Sequence, residues 1–250
     1  MSAAPLDDST AVVTGASRGF GRAISVALAD AGAKVVGLAR SAEQLQAVAD
    51  RVGPSFTPYV ADVADPAIAD ITLRRIEPDV LILNAGAVPP MSPIHEQTWD
   101  SFATNWEVDT RHVFEWLGAS LRQPLRPGSV VITISSGAAL GGSPLSGGYA
   151  PAKAAIRFIS TYAAEESARA ALGIGVHTLF PQLTPHTDLG SAGISGYAER
   201  QGVSVEELEG TLQPALTPEQ VGAAVLDLIQ RAPSGPQELL VSGRGVAGVR

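Results

Sequence analysis

Short apolar runs rich in β-branched residues recur along the chain at positions 11–14, 34–38, 56–60, 80–83, 130–134, 176–180 and 238–241. Several lack the polar alternation of a half-exposed strand, so they read as strands of a parallel sheet covered on both faces. Helical patterns fill the gaps. Residues 18–31 form the first, with Gly32 as its stop, and 43–51 the second. Residues 96–121 read as one long helix carrying Trp99, Phe102, Trp106, Val113 and Leu117 near one stripe, and 149–172 as a long alanine-rich one. Thr217 opens the last helix, with Pro218 at its first position and Glu219 and Gln220 in the first turn. There is no fixed repeat and nothing like an interdomain linker. The alternation predicts an α/β fold: one Rossmann-type domain over 1–250, a doubly wound parallel sheet of about seven strands with helices on both faces. Glycine and proline cluster at 84–93, 137–151 and 181–215, which read as loops at one edge of the sheet. Residues 183–216 have the length and Gly/Ser content of a substrate lid.

Composition narrows the partners. Apolar residues make up 45% of the 250, enough for a sizeable core, and the net charge of −8 comes with no basic run. That argues against nucleic acid and anionic membrane surfaces. With no cysteine, disulfides, zinc–thiolate sites and cysteine nucleophiles are excluded. The opening MSAAPLDDST has no apolar core of a signal peptide, and no apolar run approaches the roughly 20 residues of a membrane helix. A cytoplasmic globular protein is expected. The histidines at 95, 112, 177 and 186 show no metal-ligand spacing, so no metal is expected.

The first strand runs into Thr14-Gly15-Ala16-Ser17-Arg18-Gly19-Phe20-Gly21, a G-x3-G-x-G spacing before a helix. Such a loop gives a tight turn, close backbone approach to a pyrophosphate, and a helix N-terminus aimed at the anion. The second strand ends near Arg40, where an NAD-type fold places an acid for the ribose 2′-hydroxyl. Arg40 and Arg18 instead suit a 2′-phosphate, which predicts NADP(H) over NAD(H). Asp62-Val63 follows the third strand, where an acid can accept from the adenine amino group. Asn84-Ala85-Gly86 ends the fourth with small residues that permit cofactor approach.

Tyr149 and Lys153 stand one helical turn apart, and Ser136 lies upstream across a glycine-rich stretch. The ordered set of the Thr14–Gly21 loop, Asp62-Val63, Asn84-Ala-Gly86, Ser136 and Tyr149-x3-Lys153 resembles the short-chain dehydrogenase/reductase family in its single-domain form, over nearly the whole chain. The resemblance implies an NADP(H)-dependent oxidoreductase that interconverts a ketone or aldehyde and an alcohol by hydride transfer. Tyr149 is then the general acid/base, Lys153 favours its phenolate and holds the nicotinamide ribose, and Ser136 bonds the substrate oxygen. A homodimer or homotetramer is also implied.

Two departures from the family pattern stand out. Registering on Phe114 puts Asp109 where the family has a catalytic asparagine and His112 where it has glycine; Asp109 is preferred over Asn105, one turn earlier. After the sixth strand, Pro181 is followed by Gln182 rather than glycine. Thr187 is preferred over Thr184 for the contact to the cofactor carboxamide. These departures keep a second reading open, an NADP(H)-binding sensor or regulatory protein on the same fold. A third, sugar-nucleotide epimerase or dehydratase chemistry, sits poorly with the short C-terminal region.

Overall fold

The computed structural model describes residues 6–231 and 235–249. Their strands form one eight-stranded sheet in the order β3-β2-β1-β4-β5-β6-β7-β8. The strands are β1 (Thr10–Thr14), β2 (Lys34–Ala39), β3 (Phe56–Val60), β4 (Val80–Leu83), β5 (Val130–Ile134), β6 (Gly175–Pro181), β7 (Glu238–Ser242) and β8 (Gly245–Gly248). All neighbours pair parallel except β7 and β8, which are antiparallel. The seven expected strands are present, each within a residue or so of the predicted ends. The eighth was not anticipated. Its GVAG segment is exposed and carries no apolar pattern; backbone pairing to β7 makes it a strand.

Strand parity builds two cores. In β4, Val80 and Ile82 join one apolar cluster while Leu81 and Leu83 join the other; in β1, Ala11 and Val13 oppose Val12. The first face is covered by α1 (Gly19–Asp30), α2 (Ala42–Val52) and α10 (Pro218–Arg231), through Ile24, Leu28, Leu45, Val225 and Leu228. The second is covered by α3 (Pro66–Ile76), α5 (Arg111–Arg122) and α7 (Tyr149–Arg169), through Leu73, Val113, Trp116, Leu117 and Ile156. Each fully buried Leu or Ile stabilises the fold by about 1.5–3 kcal/mol relative to exposure. This two-sided burial is why the central strands β1, β4, β5 and β6 lack polar alternation, whereas the edge strand β3, read as buried from its sequence, is exposed over most of its length.

The helix readings need four corrections. Residues 66–76, unassigned from the sequence, are α3, started by Asp65, whose side chain accepts from the Ala67 N–H, and by Pro66 in the first turn. The stretch read as one helix over 96–121 is α4 (Trp99–Asn105), a π-helical segment (Trp106–Thr110) and α5 in succession. Within 137–151, read as loop, Ala138–Gly141 forms the short α6. Within 181–215, also read as loop, lie α8 (Asp188–Gln201) and α9 (Val205–Thr211). The start of α10 is as expected: the Thr217 N–H donates to Gln220 Oε1 at 2.8 Å, and Thr217 Oγ1 accepts from the Gln220 N–H at 3.3 Å.

The order of strands reverses at β1 and β4. In open α/β sheets such a switch point leaves a crevice for a ligand, beyond the carboxyl ends of the strands. A cleft of about 1510 Å³ opens there.

Candidate active site

The cleft begins at the glycine loop after β1. Gly15 has φ +66°, a left-handed conformation that favours glycine. At Gly21 a Cβ would lie 2.1 Å from the Gly15 carbonyl oxygen, so the start of α1 packs on bare backbone. Asn84, at the end of β4, fastens the loop: its side-chain amide donates to the carbonyls of Thr14 at 3.1 Å and Gly15 at 3.2 Å. Its N–H donates to Thr14 Oγ1 at 2.9 Å, and that hydroxyl donates to the Ile82 carbonyl. Thr14 is thus a brace inside the sheet, wholly buried, rather than a group facing the cleft.

The first turn of α1 has no side-chain cap and no acid, whereas α2 is capped by Ser41 and α3 by Asp65. Uncapped amides at a helix start, beneath a glycine turn, fit an anionic pyrophosphate. Ser17, Arg18, Gly19, Phe20, Arg40, Asp62, Val63, Ala85 and Gly86 all line the cleft, so the predicted cofactor residues meet along one wall. Within that wall, Phe20 also packs on the first core, the Asp62 carboxylate accepts from the Ala64 N–H, and the Val63 carbonyl accepts from Trp116 Nε1. Arg18 is ion-paired with Asp188 in the first turn of α8. No hydrogen bond or ion pair engages the Arg40 side chain among the described residues.

The second cluster forms where β5 runs out toward α7. Tyr149 and Lys153 are 8% and 4% exposed and lie in the first turns of α7. The Ser135 hydroxyl donates to the Lys153 carbonyl at 2.8 Å, which pins this part of α7 to the end of β5. Lys153 Nζ donates to the Ile134 carbonyl at 3.2 Å and lies 5.7 Å from the centre of the Tyr149 ring. It also lies 3.2 Å from Asp109 Oδ2. Ser136 lines the cleft beside Tyr149. The structure therefore gathers Ser136, Tyr149, Lys153 and Asp109.

Asp109 reaches this cluster from the π-helical segment, where the wider turn offsets the register by one residue. Asn105, the other candidate, instead donates to the Ala87 carbonyl at 2.9 Å. His112 is buried, and both its ring nitrogens lack a hydrogen-bond partner. Burial first, and the Lys153 charge second, push its pKa down to about 3, against a weaker opposing effect of the Ala85 backbone.

The electrostatics favour a protonated phenol. Burial raises the Tyr149 pKa; Lys153 and a hydrogen bond with Ser136 pull it down, and Asp109 pushes it up. The net is upward. Burial works against the Lys153 ammonium, but the charges of Asp109 and Tyr149 outweigh it and hold its pKa above the ordinary value.

The third wall follows β6. Gln182, in the place of the family glycine, is exposed, and its N–H donates to the Val241 carbonyl at 2.9 Å. The backbone there extends the sheet pairing without needing glycine. The Thr184 hydroxyl is buried and occupied, donating to the Leu216 carbonyl and accepting from the His186 N–H. Thr187 caps α8 by accepting from the Gly190 N–H at 3.1 Å, with its methyl facing Gly19. Of the two threonines, Thr187 is the one set against the glycine loop. Two cleft residues escaped the sequence reading. Tyr197 of α8 hydrogen-bonds Ser143 at 2.5 Å, and Asp188 holds Arg18. Both sit in a segment whose sequence reads as loop and so offers no helical face to display them.

Comparisons with known proteins agree with this geometry. The sequence profile of the family described as short chain dehydrogenase matches residues 9–194. The chain is 34% identical over 180 residues to 3-oxoacyl-[acyl-carrier-protein] reductase FabG of Escherichia coli (strain K12), covering 68% of this chain and 71% of that protein. It is 32% identical over 128 residues to D-erythrulose reductase of Gallus gallus, covering 50% and 52%. The crystal structure of levodione reductase superposes with a TM-score of 0.80 at 23% identity, over 95% of this chain and 97% of that one.

Proposed function

Because the chain belongs to the short-chain dehydrogenase/reductase family, we propose that it is an NADP(H)-dependent oxidoreductase that reduces a ketone or aldehyde to an alcohol. The observation that carries the reading is the meeting of Ser136, Tyr149 and Lys153 in the same cleft as the glycine loop. When bound, the nicotinamide supplies or accepts the hydride. The chain supplies the proton. Tyr149 donates from its phenolic oxygen to the substrate oxygen, and the charge developing on that oxygen is stabilised by the Ser136 hydroxyl. Its upward-shifted pKa keeps the phenol charged with the proton it must give. The Lys153 ammonium, 5.7 Å from the ring centre, favours the phenolate that this step leaves.

Arg40 and Arg18 support the choice of NADP(H): two guanidiniums at the adenosine end of the cleft, with no acid among the residues that end β2. Asp62 is the candidate acceptor for the adenine amino group, and Thr187 the candidate for the carboxamide. Residues 183–216 act as the lid. On the substrate side, Met91, Leu140, Leu183, Tyr197 and Leu212 give an apolar wall with one phenol, which suits a medium-sized, partly apolar carbonyl compound. Exposed Phe114, Phe158 and Tyr162 on α5 and α7 support pairing of these helices between subunits, as the family resemblance implies.

The test follows oxidation of NADPH and of NADH by the purified protein over a panel of ketones, aldehydes and quinones, with Tyr149→Phe alongside. Turnover with NADPH that the variant loses supports the reading. Tight NADPH binding without turnover on any compound revives the sensor reading.

A further inference from the structure

Asp109 is held more tightly than a core helix requires. Its Oδ1 accepts from the Ala87 N–H at 2.8 Å, with the Asn105 amide at 3.4 Å. Its carboxylate lies against the bare backbone of Gly86, where a Cβ would come within 2.7 Å of Oδ2. Asn105 in turn holds the Ala87 carbonyl. The carboxylate is thus clamped between the loop after β4 and the π-helical segment, with no solvent exposure. Its second oxygen takes no hydrogen bond from any other described group and lies 3.2 Å from the Lys153 ammonium. A neutral amide in this place would leave the lysine's full charge to act on the phenol. A carboxylate spends part of that charge.

We propose that Asp109 is a positioning residue that acts on Tyr149 through Lys153: as the buried counterion of the ammonium, it sets the pH at which the phenol exchanges its proton. The proposal rests on the reading of Tyr149 as the acid/base. The titratable groups acting on one another here are Tyr149 and Lys153 from α7, Asp109 from the π-helical segment and His112 from α5. The loop after β4 contributes Ala85, Gly86 and Ala87, and the end of β5 contributes Ser135 and Ser136; all are neutral. His112 is neutral throughout the working range, which leaves Asp109 as the one negative charge in the cluster when the phenol is protonated. Removing that charge makes the phenolate easier to form. The proton given in reduction is the proton taken in oxidation, so the alkaline limbs of both directions move together.

The test uses Asp109→Asn, whose amide carbonyl still accepts from the Ala87 N–H. Phenolate absorbance is titrated in the wild type and in Asp109→Asn. The same titration with Tyr149→Phe added records the other three tyrosines alone, and subtracting it isolates the Tyr149 signal. The pH profile of kcat/KM for carbonyl reduction is measured beside it. The Tyr149 midpoint and the alkaline limb are expected to fall together by about one pH unit in Asp109→Asn. An unchanged midpoint and limb in a folded Asp109→Asn overturns the proposal. Should that variant fail to fold, Asp109→Ser, which leaves the Ala87 N–H an acceptor in less volume, takes its place under the same criterion. A midpoint that shifts in a protein without carbonyl turnover upholds the proposed control of the phenol and fails the reductase reading. Turnover with an unmoved midpoint does the reverse.

Discussion

Arg18 of the glycine loop is ion-paired with Asp188 in the first turn of α8, so the candidate lid touches the candidate cofactor site through one guanidinium. Both side chains are more than half exposed, and such pairs contribute little. A phosphate carrying close to two negative charges competes well against one carboxylate for the same fork. Asp188→Ala should therefore free Arg18 and tighten NADPH binding by about two- to fivefold, leaving NADH nearly unchanged. Fluorescence titration with both nucleotides checks this; equal tightening of both, or none, would detach Arg18 from the 2′-phosphate.

Arg40 makes the stronger case for nucleotide choice, because no described partner competes for it. Losing a charge-assisted contact costs about 1.5–3 kcal/mol. Arg40→Ala should weaken NADPH binding by about tenfold to a hundredfold, with NADH within a factor of two. The ratio of the two dissociation constants is the measurement that decides.

Tyr149→Phe keeps the ring and removes only the oxygen. Carbonyl reduction should drop by about 10²- to 10⁴-fold, the usual worth of a positioned acid. NADPH affinity should hold within twofold, because Lys153 and the glycine loop stay in place. A variant that retains more than a tenth of wild-type kcat would mean that another group delivers the proton.

Why were these residues legible from the sequence while their neighbours were not? The glycine loop, Ser136, Tyr149 and Lys153 announce themselves through residue type and spacing, and β-branched runs of four or five residues marked the buried strands. The eighth strand and α8 carry no such mark: GVAG is held by backbone pairing, and α8 mixes three glycines with two serines. Other elements do carry a local signal. Asp65-Pro66 starts α3, and Ser204 with Glu207 forms a reciprocal cap on α9. Hardest to read was the π-helical segment. Asn105 and Asp109 stand one turn apart on nearly the same face, so local pattern alone does not choose between them, and only alignment on Phe114 points to Asp109. The ion pair itself, and the Arg18–Asp188 contact across 170 residues, depend on tertiary placement that no local pattern encodes.

His112 provides the last prediction, one of stability. It stands where the family has glycine, fully buried, with two ring nitrogens unpartnered and a pKa pushed down to about 3. In the unfolded chain the same imidazole titrates near 6.5. Between these values the unfolded state binds the extra proton and the folded state does not, so stability falls as pH drops from about 6.5 toward 3. At pH 4 the loss from this one residue is about 3 kcal/mol. His177, also buried and lowered to about 4, adds to the same slope. His112→Leu removes the unpaired nitrogens at similar volume. It should raise stability at pH 7 by about 1 kcal/mol or more and flatten the acid side of the profile. Urea unfolding of both proteins from pH 7.5 to 4.5 measures the two slopes. Parallel slopes would show that the ring is protonated in the folded state, held by a partner that compensates its burial.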